Sequence, residues 1–264
     1  MTEAEWLACK DPKKCLEFLR DKVSDRKLRL FTVACCRYIW NLMPNEPSKE
    51  AVKVAERFAD GIAGPQELLN ASRAIEATLY AAEVVLETNF LAAEGLADAP
   101  DSASLSAARS LISTQNGHYS AARAALYATA IAAHEAAIGI TSSIHYAAVC
   151  AAGTDLVADL PARIAASGAV TGYSRELCNE VIGNPFRSAS IDLLWLTPSV
   201  RKLAESSYEE RAFPSGELNT ARLAVLADAL KEAGCQDTDI LNHCRGPGPH
   251  VRGCWVLDLV RSVD

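Results

Sequence analysis

Long alanine-rich stretches in the middle of this chain limit what it can fold into. Residues 66–96 and 104–152 are rich in alanine, which has the highest intrinsic helix propensity of all residues. Aromatic residues make up only 6% of the chain, so small side chains must fill much of the interior and let helices approach closely. This pattern favours helices packed on helices over a β-sandwich.

Hydrophobic periodicity points the same way. We expect Asp25 to cap a helix that runs to Trp40. Its apolar residues recur at helical spacing, at Leu28, Phe31, Cys35 and Ile39. No segment alternates β-branched residues as a half-buried strand would. The sequence therefore predicts an all-α protein, either an Ala-rich helical bundle or an irregular helical array with a C-terminal helical subdomain.

Glycine and proline positions predict where the helices end. Residues 66–96 read as one helix, whereas 104–152 is too long for one, and we expect its break at Asn116 and Gly117. Later, Thr197 and Asp237 are expected as helix N-caps. Residues 168–173 are expected to form a flexible joint. It separates an N-terminal and Ala-rich helical body, 1–167, from a C-terminal helical subdomain, 168–264.

Charge and cysteine content exclude several classes of protein. The formal net charge is -7 and no Lys/Arg-dense run appears outside short helical faces, which disfavours nucleic-acid binding. The opening residues are acidic rather than basic and apolar runs are too short for a membrane span, so we expect a cytoplasmic protein without membrane association. Nine cysteines, an odd number in a chain of this size, are expected to be reduced thiols.

Several short motifs resemble a known family. They are MTEAEWLAC at 1–9, SDRKLRLF at 24–31, ACCR at 34–37, GNPFR at 183–187, WLT at 195–197, LADAL at 226–230 and GPHVRGCW at 248–255. Together they are similar to a planctomycete family of uncharacterised proteins that occurs as many paralogues per genome. The resemblance implies an intracellular bacterial protein, and it supplies no catalytic residue because the family has no established activity.

The C-terminal region gathers cysteines and histidines around a Gly/Pro turn at 246–249. We expect the last helix to begin near Pro249, which would place His250 and Cys254 on one helical face. With Cys235 and His243 they form a candidate four-ligand Zn²⁺ site, and Cys244 is a substitute ligand. The alternative is structural, with buried cysteines and with both histidines bonding backbone carbonyls at the turn.

Other constellations are weaker. Cys254 with His250 could form a nucleophile pair, but the sequence shows neither an orienting third group nor an oxyanion hole. Glu83 and Glu87 lack the Glu-x-x-His element of a dinuclear helical bundle. The turn at 246–249 lacks the Gly-Lys-Ser/Thr of a phosphate loop, so nucleotide binding is rejected. A ligand groove is conceivable where helices meet, lined by Tyr127, His134 and His145.

Three functions follow from these patterns. The preferred hypothesis is a non-enzymatic, cytoplasmic α-helical module that acts as a scaffold or binds another protein. The second is a zinc-binding helical protein whose C-terminal site is structural or, as a variant, hydrolytic. The third is a small-molecule sensor that binds its ligand between helices, beside Tyr127, His134 and His145.

Overall fold

The prediction of an all-α protein is confirmed. The computed structural model describes residues 1–43, 45–95, 102–130, 132–153, 159–187 and 189–263, and within these ranges it contains twelve α-helices and isolated bridges in place of strands. The helices are α1 (Glu3–Ala8), α2 (Pro12–Phe18), α3 (Asp25–Tyr38), α4 (Glu46–Ala59), α5 (Pro65–Gly95), α6 (Ser102–Thr129), α7 (Ala133–Ala151), α8 (Leu160–Ile182), α9 (Pro198–Glu209), α10 (Thr220–Glu232), α11 (Thr238–Arg245) and α12 (Trp255–Arg261). Among the described helices, none is both long enough and apolar enough to cross a lipid bilayer.

Side-chain caps set most helix starts. Thr197 accepts a hydrogen bond from the Val200 N–H, and Asp237 accepts from the second and third N–H groups of α11, as the sequence indicated. At α3 the cap is Ser24, whose hydroxyl accepts from the Lys27 N–H, whereas Asp25 is the first helical residue. A carboxylate there interacts favourably with the helix dipole.

The expected helix break at Gly117 is wrong, because α6 continues through it to Thr129 and α7 begins at Ala133. Glycine is used here for close approach between helices. A Cβ added at Gly117 would lie 3.2 Å from the Cβ of Cys150 on α7. One added at Gly139 would lie 2.6 Å from the Tyr127 ring. Both glycines therefore let α6 and α7 pack at short range.

The flexible joint expected at 168–173 is also wrong, because these residues lie inside α8. Val170 is buried in the core of the body, and the Tyr173 ring stacks on Tyr38 with centroids 4.2 Å apart. These contacts hold the segment in helical form. The division of the chain into domains remains a prediction.

Buried residues form two clusters. The larger one is centred on α3 and includes residues of α2, α4 to α8 and Val251. The smaller one is built from α9 to α12 with the segments that join them. The candidate site lies where α8, from the first cluster, meets α11 and the segment before α12.

Candidate metal centre

Four potential ligands converge at this junction. Glu180 comes from the last turn of α8 and His243 from α11, while His250 and Cys254 come from the segment between α11 and α12. One donor atom of each residue lies within 4.8 Å of all the others. Glu180, His250 and Cys254 are buried, and His243 is the partly exposed member.

His250 and Cys254 meet for a different reason from the one the sequence suggested. The last helix begins at Trp255, not near Pro249, so the expected shared helical face is wrong. Residues 249–254 form an irregular corner. Gly248, just before it, and Gly253, within it, have positive φ angles of 92° and 90°. Such backbone angles favour glycine because it lacks a Cβ.

Hydrogen bonds to the backbone hold this corner against the body. The Val251 N–H donates to Glu180 Oε1 at 3.1 Å. The Lys27 ammonium donates to the carbonyls of Val181 and Gly253 at 2.9 and 2.8 Å. It also pairs with Asp258 Oδ2 at 2.7 Å. The buried Lys27 ammonium therefore links the end of α8 to the segment before α12 and to α12 itself.

The hydrogen-bond partners of His243 and His250 indicate which ring nitrogens carry protons. His250 Nε2 lies 3.2 Å from the Gly246 carbonyl and Nδ1 lies 3.1 Å from Glu180 Oε2, so both nitrogens face acceptors. A ring whose two nitrogens both face acceptors suits the doubly protonated form, in which His250 would pair as an imidazolium with the Glu180 carboxylate.

One ring nitrogen of His243 faces a hydrogen-bond donor rather than an acceptor. Trp255 Nε1 donates to His243 Nδ1 at 3.1 Å, so the proton of a neutral ring is on Nε2. Nε2 lies 3.1 Å from Glu180 Oε2 and 3.2 Å from Cys254 Sγ. The Glu180 carboxylate is thus the shared acceptor for both histidines.

The electrostatics follow from burial and these bonds. Burial alone would raise the pKa of Glu180, but hydrogen bonds from His243 and His250 outweigh it and lower the pKa to about 2. Burial opposes the charge on His250, yet its bond to Glu180 raises the His250 pKa. Burial raises the pKa of the Cys254 thiol well above its ordinary value. The neutral, fully buried thiol does not suit the nucleophile role considered for Cys254 with His250.

The donor set could also hold a tetrahedral metal ion. Two ligands bound to Zn²⁺ at about 2.0 Å lie ~3.3 Å apart. The Glu180 to His243 and His250 separations are 3.1 Å, whereas the wider separations in the group, up to 4.8 Å, would have to shorten around an ion. One carboxylate, two imidazoles and one thiolate suit Zn²⁺, and two negative ligands would balance its charge. His250 would bind through Nδ1 while Nε2–H donates to the Gly246 carbonyl, the outer-shell bond typical of metal-bound histidine.

His243 fits with one change. Coordination through Nε2 would place the proton of the neutral ring on Nδ1, which accepts from Trp255 Nε1–H in this structure. Two donors cannot bond each other, so an ion held by His243 Nε2 would break the hydrogen bond between Trp255 and His243.

Three of the four residues proposed from sequence therefore lie together. Cys235 is not among them: it is buried in the C-terminal cluster, where its N–H donates to the Leu230 carbonyl. Cys244 is buried in that same cluster and lies outside the four-residue group. Sequence reasoning missed Glu180. Its only signal is a carboxylate within the apolar series Leu177, Cys178 and Val181 of α8.

The expected ligand groove is not formed as one site. His134 Nε2 lies 2.8 Å from the Leu16 carbonyl, and His145 lines a cavity of about 350 Å³ beside α2 and α8. Tyr127 lines a different cavity, between α3, α4, α5 and α6. Glu83 and Glu87 lie along a groove between α5 and α6.

Comparison with known proteins finds no matching family model, no matching curated protein and no matching solved structure. The chemistry of the site therefore rests on its own geometry.

Proposed function

We propose that the protein is a non-enzymatic helical scaffold in which a structural Zn²⁺ ion fastens the C-terminal helices to the Ala-rich body. The observation that carries the proposal is the convergence of donor atoms from Glu180, His243, His250 and Cys254 within 4.8 Å. Four protein ligands complete a tetrahedral zinc site and leave no position for a reacting water, which favours a structural over a hydrolytic role.

The position of the ligands supports this role. Glu180 belongs to the helix that completes the core of the body, whereas His243 and Cys254 belong to the C-terminal unit. An ion bound by all of them links two groups of helices that are separately packed. The proposal keeps the cytoplasmic location expected from sequence, where cysteine thiols stay reduced and can bind metal.

Metal content tests the proposal. Protein purified without chelator is expected to contain one zinc per chain by elemental analysis. The Cys254→Ser variant is expected to lose it, because a hydroxyl is a poor replacement for a thiolate ligand. The matched control is Cys244→Ser, since Cys244 is equally buried but lies outside the group of four.

Fluorescence gives an independent readout. Adding Zn²⁺ to chelator-treated protein is expected to change the tryptophan emission, because coordination by His243 releases the Trp255 indole N–H. The change is expected to disappear in Trp255→Phe. The zinc proposal would be rejected if chelator-treated protein bound no Zn²⁺ and unfolded at the same temperature with and without it. The four residues would then form only a hydrogen-bonded junction.

A second observation supports the interaction role. Large apolar side chains are exposed along α5 and α6, at Tyr80, Val84, Val85, Phe90, Leu91 and Leu111. A groove of about 410 Å³ between the two helices is lined in part by Leu86, Phe90 and Ile112. Helices that are apolar on more than one side are typical of the inside of a bundle.

We infer that the partner is a second copy of the chain, whose α5 and α6 complete a four-helix bundle. Exposed carboxylates at Glu76, Glu83 and Glu87 make α5 acidic, whereas residues 102–129 contain Arg109 and Arg123 and no Asp or Glu. A two-fold bundle that places α5 of each copy beside α6 of the other would pair acidic helices with basic ones, which is favourable for closed, symmetric association.

Sedimentation equilibrium tests this inference. The chain is expected to be a dimer, and Tyr80→Glu with Leu111→Glu is expected to make it monomeric by placing charge in the apolar contact. The control is Ile164→Glu on α8, whose parent side chain is also exposed, at 62%. A wild-type chain that is monomeric at all concentrations, or a double variant that still dimerises, would contradict the inference.

A further inference from the structure

A cavity of about 860 Å³ lies between α3, α4, α5 and α6, and none of the four potential metal ligands lines it. Its walls are largely apolar, formed in part by Phe58, Leu68, Leu69 and Leu126. Tyr127 lines it as well. Charged side chains also line it, at Asp25, Arg26, Arg29 and Glu76. A cavity of this size whose wall is mostly apolar has the general character of a small-molecule site.

Arg29 is the unusual polar group of this cavity. The residue is 5% exposed, and its one hydrogen bond within the described residues is from NH1 to the Ala128 carbonyl at 2.8 Å. It makes no ion pair with any residue that the structure describes. Burial lowers the Arg29 pKa, but a guanidinium remains charged at neutral pH.

Neighbouring arginines show how unusual this is. Arg26, one turn earlier on α3, pairs with both Asp60 and Asp258 and bonds the Tyr208 hydroxyl. Arg37 pairs with Glu56 at 2.7 Å. For Arg29 the end of α6 offers a partial negative charge at the Ala128 carbonyl, which leaves most of its donors for another acceptor.

We propose that the cavity binds an aliphatic monocarboxylate, with its carboxylate on Arg29 and its chain against the apolar walls. The Arg29 Cζ lies 5.0 Å from the Phe58 ring centroid, so the guanidinium is held by the ring. A planar guanidinium with free N–H groups matches a carboxylate in a bidentate pair.

The charges around the cavity select against more highly charged ligands. Asp25 and Glu76 also line it, and both are exposed. Arg26 lines it too, but its charge is paired with Asp60 and Asp258. Asp25 also acts on Arg29 electrostatically, although the two make no ion pair. The exposed carboxylates would repel a polyanion such as a nucleotide more strongly than a single carboxylate, which the buried Arg29 guanidinium would attract. A neutral alcohol of equal length would gain the apolar contacts but not the ion pair.

Calorimetric titration tests this proposal, with decanoate as the probe and 1-decanol as its neutral match. Decanoate is expected to bind one per chain and more tightly than decanol. Arg29→Gln is expected to weaken decanoate binding by about 10- to 100-fold, the range of one charge-assisted hydrogen bond, and to leave decanol binding unchanged. Arg29→Lys is expected to fall between them, because it keeps the charge and loses the planar fork.

A second variant separates binding from folding, since Arg29 also bonds the end of α6. Leu69→Trp is expected to fill the cavity and abolish decanoate binding with Arg29 intact, whereas Leu160→Trp, an exposed position on α8, is the control. Equal binding of decanoate and decanol, or undiminished decanoate binding in either Arg29→Gln or Leu69→Trp, would overturn the proposal. So would failure of decanoate to bind the wild-type chain. None of these results depends on zinc, so the metal proposal stands or falls separately.

Discussion

Replacement of Glu180 by glutamine is the sharpest test of how the C-terminal helices are attached. In the metal-free protein Glu180 faces His243 Nε2 and His250 Nδ1, each at 3.1 Å, and accepts from the Val251 N–H at 3.1 Å. Glutamine has nearly the same shape, but it is neutral and carries an NH₂ group where one carboxylate oxygen was. That group would face N–H donors.

The magnitude follows from burial. Glu180 is 3% exposed, so its replacement leaves buried N–H groups without their carboxylate acceptor. At pH 7 His250 can release its proton once the counter-ion is gone, so the cost is that of the lost buried hydrogen bonds, about 1–3 kcal/mol, rather than that of an isolated buried charge. A chain of this size loses roughly 2–4 °C in melting temperature for each kcal/mol, so Glu180→Gln is expected to lower the melting temperature by about 2–12 °C.

The assay is urea and thermal unfolding of chelator-treated protein at pH 7, followed by far-UV circular dichroism. Glu176→Gln is the matched control, since Glu176 lies one turn earlier on α8 and is exposed. The control is expected to stay within about 0.5 kcal/mol of the wild type. If the two variants unfold at the same urea concentration, the Glu180 carboxylate does not hold the junction and the ion pair with His250 contributes nothing to stability.

Three further predictions concern the body and the helix caps. Gly139→Ala is expected to destabilise the chain by about 1–3 kcal/mol in urea unfolding, because its Cβ would lie 2.6 Å from the Tyr127 ring. Gly168→Ala, whose Cβ would have nothing within 4 Å, is expected to stabilise the chain by about 0.5–1 kcal/mol. The reverse order of stabilities would contradict the packing argument. Burial would raise the pKa of Glu56, but ion pairs with two arginines lower it below its ordinary value of 4.5. The stabilising contribution of the Glu56 carboxylate is therefore complete above pH 4.5 and lost as the pH falls through its folded-state pKa. Glu56→Gln is expected to reduce the slope of unfolding free energy against pH on the acid side. An unchanged slope would refute this. Asn219→Ala is expected to cost about 0.5–2 kcal/mol in the same unfolding assay, because Asn219 accepts from two N–H groups at the start of α10, and a loss near zero would show that the cap is replaceable by water.

Part of the candidate site was accessible from sequence. His243, His250 and Cys254 were recognisable because these residue types are uncommon and stand close together around a Gly/Pro turn. Glu180 was not, since it precedes His250 by 70 residues and resembles any other glutamate of a helix. The geometry proposed from sequence, with His250 and Cys254 on one helical face, was wrong although the residues do meet.

Part of the local structure could be worked out from the order of the residues alone. Helices at residues 65–95 and 198–209, and caps at Thr197 and Asp237, follow from propensity and from hydrogen bonds that close within a few residues. Whether a glycine ends a helix or lies inside one, and which buried arginines form ion pairs, depends on packing between helices that are distant in the sequence. Gly117 and Gly139 lie inside helices where a neighbouring helix packs closely against them. Among the residues that the structure describes, Arg26 makes two carboxylate ion pairs and Arg29 makes none. These outcomes depend on contacts between residues far apart in the chain, which local patterns do not encode.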